Sequence, residues 1–172
     1  MIDGNNFDMA GEASSSVKRT LTKLGVAPPL VKRAAISMYE AEINAFIHGG
    51  GGSAHVEISD EKIEMVVEDS GDGIPDLDLA MQEGWSTASE QVRRMGFGAG
   101  MGLPNIKKNS DVLSIETEKG QGTKVTMIIY IREDKNGSVK NVGVEDTPRI
   151  SEPLSFFEKT LFSSAPTGVS HR

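Results

Sequence analysis

The sequence predicts an α+β fold built around one core domain. Two observations carry that expectation. Helix-period segments come first, and strand-period segments follow in adjacent pairs instead of alternating one by one with helices. The pairs are joined by short turns, which makes their pairing antiparallel. A chain of 172 residues is long enough for one ordinary domain with a solid core.

Residues 1–11 are polar and contain glycine, with Phe7 and Met9 as candidates for a short edge strand. Glu12 to Leu24 reads as a helix, because Ala13, Val17, Leu21 and Leu24 follow the helical period and Gly25 is a natural stop. Pro28-Pro29 opens a second, longer helix over about residues 30–48, and Gly49-Gly50-Gly51-Gly52 ends it. Ala54, Val56 and Ile58 alternate, as do Ile63, Met65 and Val67, with a tight turn at Ser59-Asp60-Glu61 between them. Residues 76–100 are irregular apart from a short helix around Leu77–Met81. A loop of that length inside a compact domain is usually functional or disordered. Leu103 to Asn109 reads as a helix, and Val112–Thr117 and Thr123–Ile131 as strands joined at Lys119-Gly120-Gln121-Gly122. Beyond Arg132 the composition turns to charges, Gly, Pro and Ser, until Leu154, Phe156, Phe157, Leu161 and Phe162 cluster. That segment reads either as a tail or as a partner-binding helix.

Bulk properties exclude several function classes. The net charge is −7, so direct nucleic-acid binding is not expected, since phosphate contacts need a basic face. No cysteine is present, which removes disulfides and thiolate chemistry and fits a cytoplasmic setting. The scattered His48, His55 and His171 do not suggest a zinc site. No apolar run approaches membrane-spanning length, so a membrane partner is not expected.

Four segments carry candidate chemistry. Glu40 and Asn44 lie one turn apart on one face of the second helix. A carboxylate and a carboxamide in an otherwise apolar helix face either a ligand or solvent. Asp69-Ser70-Gly71-Asp72-Gly73 stands at a strand end, where a carboxylate can accept from an exocyclic amine; a plain Asp/Gly turn explains it equally. Gly96-Phe97-Gly98-Ala99-Gly100-Met101-Gly102-Leu103 runs into a helix, where freed backbone amides and the helix N-terminus suit an anion. It is neither a Walker A loop nor a dinucleotide fingerprint. Gly120-Gln121-Gly122-Thr123 serves a hairpin turn, or brings a hydroxyl to a phosphate. Glu42 lies off the Glu40–Asn44 face, and Arg93 and Arg94 read either as phosphate contacts or as solvated surface charge.

The order Glu-x-x-x-Asn, Asp-x-Gly-x-Gly, Gly-x-Gly-x-Gly-Leu, Gly-x-Gly-Thr resembles the nucleotide-binding fold of gyrase, the Hsp90 chaperone, histidine kinases and MutL. Glu40-x-x-x-Asn44-Ala45-x-x-His48-Gly49 is most similar to its anti-sigma-factor serine/threonine kinase branch. The resemblance covers about residues 12–131. It implies a two-layer sandwich, the Bergerat ATP-binding fold, with a mixed, mostly antiparallel sheet and helices on one face. It divides the chain into an ATP-binding kinase-like domain, 1–131, and a tail, 132–172.

By the same resemblance the cofactors are ATP and Mg²⁺. Glu40 is the catalytic carboxylate acting as general base, and Asn44 ligates Mg²⁺. Asp69 holds the adenine amino group with support from Thr123, and Gly71 and Gly73 line the adenine pocket. Gly98, Gly100, Met101, Gly102 and Leu103 belong to the phosphate loop, and residues from about Ile74 to Gly96 form a lid. The implied activity is transfer of the γ-phosphate to a serine of a protein partner. The implied partners are a sigma factor and an anti-anti-sigma protein, with a homodimer as the assembly. A nucleotide-gated regulatory module or a weak ATPase is the alternative. The extra glycine step at Gly96-Phe97 and the long tail depart from the family pattern.

Overall fold

The computed structural model of the chain describes residues 1–4, 9–94 and 96–131. The apolar cluster at 154–162 and Phe7 lie outside the described residues. In chain order the elements are β1 (Ile2–Asp3), α1 (Glu12–Lys23), α2 (Pro28–Gly49), β2 (Gly51–Ile58), β3 (Lys62–Asp69), α3 (Leu77–Ala80), α4 (Glu90–Arg94), α5 (Gly102–Asn109), β4 (Val112–Glu118) and β5 (Gly122–Tyr130). The edge strand is Ile2–Asp3; Met9 stands outside any strand.

The strands form one sheet in the order β1-β2-β3-β5-β4. Every described pairing is antiparallel, so the sheet expected to be mixed has no parallel pair among the described residues. Alternation sets which side is buried. Ile63, Met65 and Val67 of β3 and Val125, Met127 and Ile129 of β5 are buried beneath the helices. Their neighbours Glu64, Val66, Thr126 and Ile128 are half-buried on the opposite side. This is an α+β two-layer arrangement with the helices on one face of the sheet.

α2 is the spine of the helical layer. It packs against β2, β3 and β5, and both α1 and α5 pack against it. Ala34, Met38, Ala41, Ala45 and Phe46 supply its buried stripe. Its prolines occupy the first turn, where no amide partner is lost, and Gly50 closes it at φ 65 in the left-handed region. Arg33 fastens it to the α5–β4 corner, donating from Nε to the Asn109 carbonyl at 3.2 Å and pairing with Asp111 at 2.8 Å.

Glu42 has a structural role that its place off the Glu40–Asn44 face does not reveal. Only 2% of it is exposed. Its Oε1 accepts from the Ala13 amide at 3.0 Å and its Oε2 from the Ser14 amide at 3.1 Å. α1 has no side-chain cap of its own, so a carboxylate from α2 satisfies its first amides and meets the positive end of its dipole. Glu42→Ala strands both amides in a dry site and is expected to destabilise the domain by about 3 kcal/mol. Glu42→Gln, which keeps one acceptor, should lose roughly half of that. Chemical denaturation of the two variants beside the parent chain measures both values.

Candidate functional site

One face of α2 looks into a cavity of about 340 Å³ between the helical layer, the sheet end and the 74–102 segment. Glu40, Asn44 and His48 line it from α2, Asp69 and Thr123 from the sheet, and Gly73 from the following turn. Gly98, Gly100, Met101, Gly102 and Leu103 line it from the glycine loop and the start of α5. Trp85 and Phe97 add aromatic wall. The size lies in the usual range for a small-molecule site, about 300–1,000 Å³.

The local folding that brings these groups together is specific. Asp69 ends β3 and Thr123 is the second residue of β5, and the two are cross-strand partners. The Gly71 amide donates to Asp69 Oδ1 at 2.9 Å, which fixes the carboxylate's rotation. Gly71 is therefore behind Asp69 and is absent from the lining. A Cβ on Gly49 would stand 2.3 Å from the Asp69 Cβ, so only glycine lets the end of α2 approach that closely. Thr117 holds the same corner: its hydroxyl accepts from the Ile74 amide at 2.7 Å and lies 3.2 Å from the Thr123 hydroxyl.

Asn44 faces the start of α5. A Cβ on Gly102 would lie 3.1 Å from both its amide atoms, so glycine there leaves the carboxamide room to turn toward the cavity. Glu40, one turn earlier, accepts a 2.7 Å hydrogen bond from Asn105 Nδ2. α5 has no side-chain cap at its N-terminus, so its leading amides are open to an anion. The loop before it is clamped to the turn after α3 by a 2.9 Å bond from the Gly84 amide to the Gly100 carbonyl. Gly100 sits at φ 72 with Trp85 backbone so near that a Cβ would fall 2.5 Å from its carbonyl oxygen.

His48, in the last turn of α2, keeps an exposed edge. Desolvation of its ring lowers its pKa, and the nearby Asp69 charge opposes that only in part. The shift favours the uncharged ring over the imidazolium. Arg93 donates to the Ser86 carbonyl at 2.8 Å, and Arg94 stands 3.6 Å from Glu90, both arginines exposed at the surface. Neither lines the cavity.

Asn105 and Thr117 escape a reading of the sequence. Thr117 left one trace: it is the polar member of an inward series with Leu113 and Ile115 on β4. Nothing local marks Asn105, and Gly49, legible as a helix stop, gives no sign of its close approach to Asp69.

The donor set also bears on a metal. Among the described residues no three His, Cys, Asp or Glu side chains converge on a metal site. Asn44 is a single neutral oxygen donor, which suits an ion that keeps most of its water and ligand oxygens, as Mg²⁺ does, and not one that needs an all-protein cage. No described helix is long and apolar enough to cross a membrane.

Comparison with known proteins matches this arrangement. The serine/threonine-protein kinase RsbT of Bacillus subtilis (strain 168) is 30% identical over 104 residues, 58% of this chain and 72% of the relative. An anti-sigma F factor of Thermoanaerobacter sp. (strain X514) is 39% identical over 101 residues, 56% of this chain and 67% of the relative. Residues 33–134 match a family of ATPases defined by histidine kinases, DNA gyrase B and HSP90. That span holds every cavity-lining group described above, from Glu40 to Thr123, and the chain belongs to the histidine kinase-, DNA gyrase B- and HSP90-like ATPase family.

Proposed function

We propose that the chain is a protein serine/threonine kinase of the anti-sigma type, which binds MgATP in this cavity and transfers the γ-phosphate to a serine of a protein partner. The observation that carries the proposal is the shared cavity itself. A carboxylate and a carboxamide one helical turn apart face a glycine loop, with an aspartate–threonine pair at the opposite end. The names of the relatives, a serine/threonine kinase and an anti-sigma F factor, support the same reading.

Each residue has a role that follows from its chemistry. Asp69, with one oxygen engaged by Gly71, offers an acceptor to the adenine amino group, and Thr123 beside it adds a hydroxyl. Gly98, Gly100 and Gly102 leave the backbone free to approach phosphate oxygens, and the N-terminus of α5 favours their charge. Asn44 would hold Mg²⁺ through its carboxamide oxygen. The bound ion would neutralise phosphate charge. Glu40 accepts the proton of the serine hydroxyl while the serine oxygen bonds to the γ-phosphorus and the bond to the β-phosphate oxygen breaks, releasing ADP. Phosphoryl transfer asks little else of the protein than this placement.

A sigma factor and an anti-anti-sigma protein are the partners we propose, acting in the cytoplasm on transcription, with the kinase as a homodimer. The net charge of −7 speaks for protein partners and not for direct nucleic-acid contact. Incubation with γ-labelled ATP and candidate partners tests the reading. Phosphoserine on a partner is expected. Free phosphate alone would make the chain a weak ATPase, and binding without either product a nucleotide-gated module.

A further inference from the structure

We infer that Asn105 is a positioning residue that holds the Glu40 carboxylate in its working orientation and ties it to the phosphate loop. The inference rests on the kinase reading above. Asn105 does not line the cavity; it stands behind Glu40, half-buried, one turn into α5. Its Nδ2 donates to Glu40 Oε1 at 2.7 Å. An ionised carboxylate only accepts, so the amide must present its NH₂ side, and the bond has one sense.

The bond matters because of what each end is attached to. Glu40 sits mid-way along α2, whose packing on the sheet fixes its backbone. A glutamate has three side-chain torsions, and nothing in the backbone selects which oxygen faces the cavity. Asn105 makes that selection by engaging Oε1. Its own backbone is fixed twice: the backbone amide donates to the Met101 carbonyl at 2.8 Å, and the backbone carbonyl accepts from Asn109 Nδ2 at 2.9 Å. Met101 belongs to the glycine loop, and Gly102 faces Asn44 so closely that an added Cβ would stand 3.1 Å from its side-chain amide atoms. The two helices thus interlock twice in register, Gly102 with Asn44 and Asn105 with Glu40. A shift of α5 that loosened the phosphate loop would also swing the base.

A positioning role and a merely structural one differ in what they change. Asn105→Ala is expected to lower kcat by about 10- to 100-fold, the cost of misplacing a catalytic group by a fraction of an ångström to an ångström. ATP affinity and KM should stay within about threefold, because the lost bond acts on the reacting arrangement and not on ground-state binding. Asn105→Asp should cost more rate than Ala, since it sets a second carboxylate against Glu40. The decisive measurement is a double-mutant cycle on the single-turnover rate of phosphate leaving ATP, to protein or water. In a Glu40→Gln background, Asn105→Ala should cost nothing further, because Asn105 acts only through the group already disabled. Additive losses, or an ATP affinity that falls as far as the rate, would overturn the inference and leave the kinase reading standing. A parent chain that binds ATP and releases no phosphate would overturn the kinase reading, and the positioning role with it. The same cycle read on unfolding in denaturant would then still report whether the Glu40–Asn105 bond forms.

Discussion

Glu40→Gln is expected to cut single-turnover phosphate transfer by about 10²- to 10⁴-fold, the range that a positioned general base contributes. Glutamine has nearly the same volume and keeps an oxygen for the Asn105 amide, so the α2–α5 contact at 2.7 Å survives in kind. What disappears is the capacity to take a proton. On the proposed reading the cavity receives phosphates, so removing a negative charge from it should leave ATP affinity equal or tighter. The pairing of lost rate with retained affinity separates a base from a binding group. Calorimetric titration with ATP and a quench measurement on labelled nucleotide supply the two numbers. Turnover unchanged in Glu40→Gln would remove the base role and shift attention to a water- or substrate-assisted mechanism. Glu42 cannot stand in for Glu40, because both its oxygens are committed to the α1 amides in a dry site.

The groups legible in the sequence are those whose relationship is local. Glu40 and Asn44 share a helix face by spacing alone, and the glycines before Leu103 announce a loop running into a helix. The boundaries of α1, α2 and β3–β5 follow periodicity to within a few residues. What the sequence hides is long-range. Asn105 reaches Glu40 across 65 residues, and only the packing of α5 on α2 makes them neighbours. Glu42 and the α1 amides are separated by 28 and 29 positions. β2 begins at Gly51, inside a glycine run that reads as a break, because β1 pairs with it through Ile2–Gly52 and Asp3–Gly51. Glycine there lets Gly52 lie against the Glu68 carbonyl, where a Cβ would be 2.2 Å from the oxygen. Tertiary pairing overrides local propensity at that point.

Asp69→Asn is the substitution expected to change what the cavity recognises. In the parent chain the Gly71 amide donates to Asp69 Oδ1 at 2.9 Å, and the other oxygen remains for the ligand. Asparagine must place its carbonyl oxygen toward that same amide, since its NH₂ would meet another donor. The backbone therefore dictates that NH₂ points into the cavity. An adenine amino group would then face a donor, with both left unpaired, and ATP affinity should fall by about 10- to 100-fold. The carbonyl of guanine is an acceptor at the corresponding edge, so GTP should lose less than ATP, or gain, and the preference between them should narrow or invert. Calorimetry with both nucleotides on both chains reads this directly. Thr123 and its partner Thr117 remain in place in the variant, which confines the change to one hydrogen-bonding position. Equal affinity of the parent chain for ATP and GTP would mean that Asp69 does not read the base. In that case Asp69 serves only to fix the turn at Gly71, and adenine selection lies elsewhere in the cavity wall.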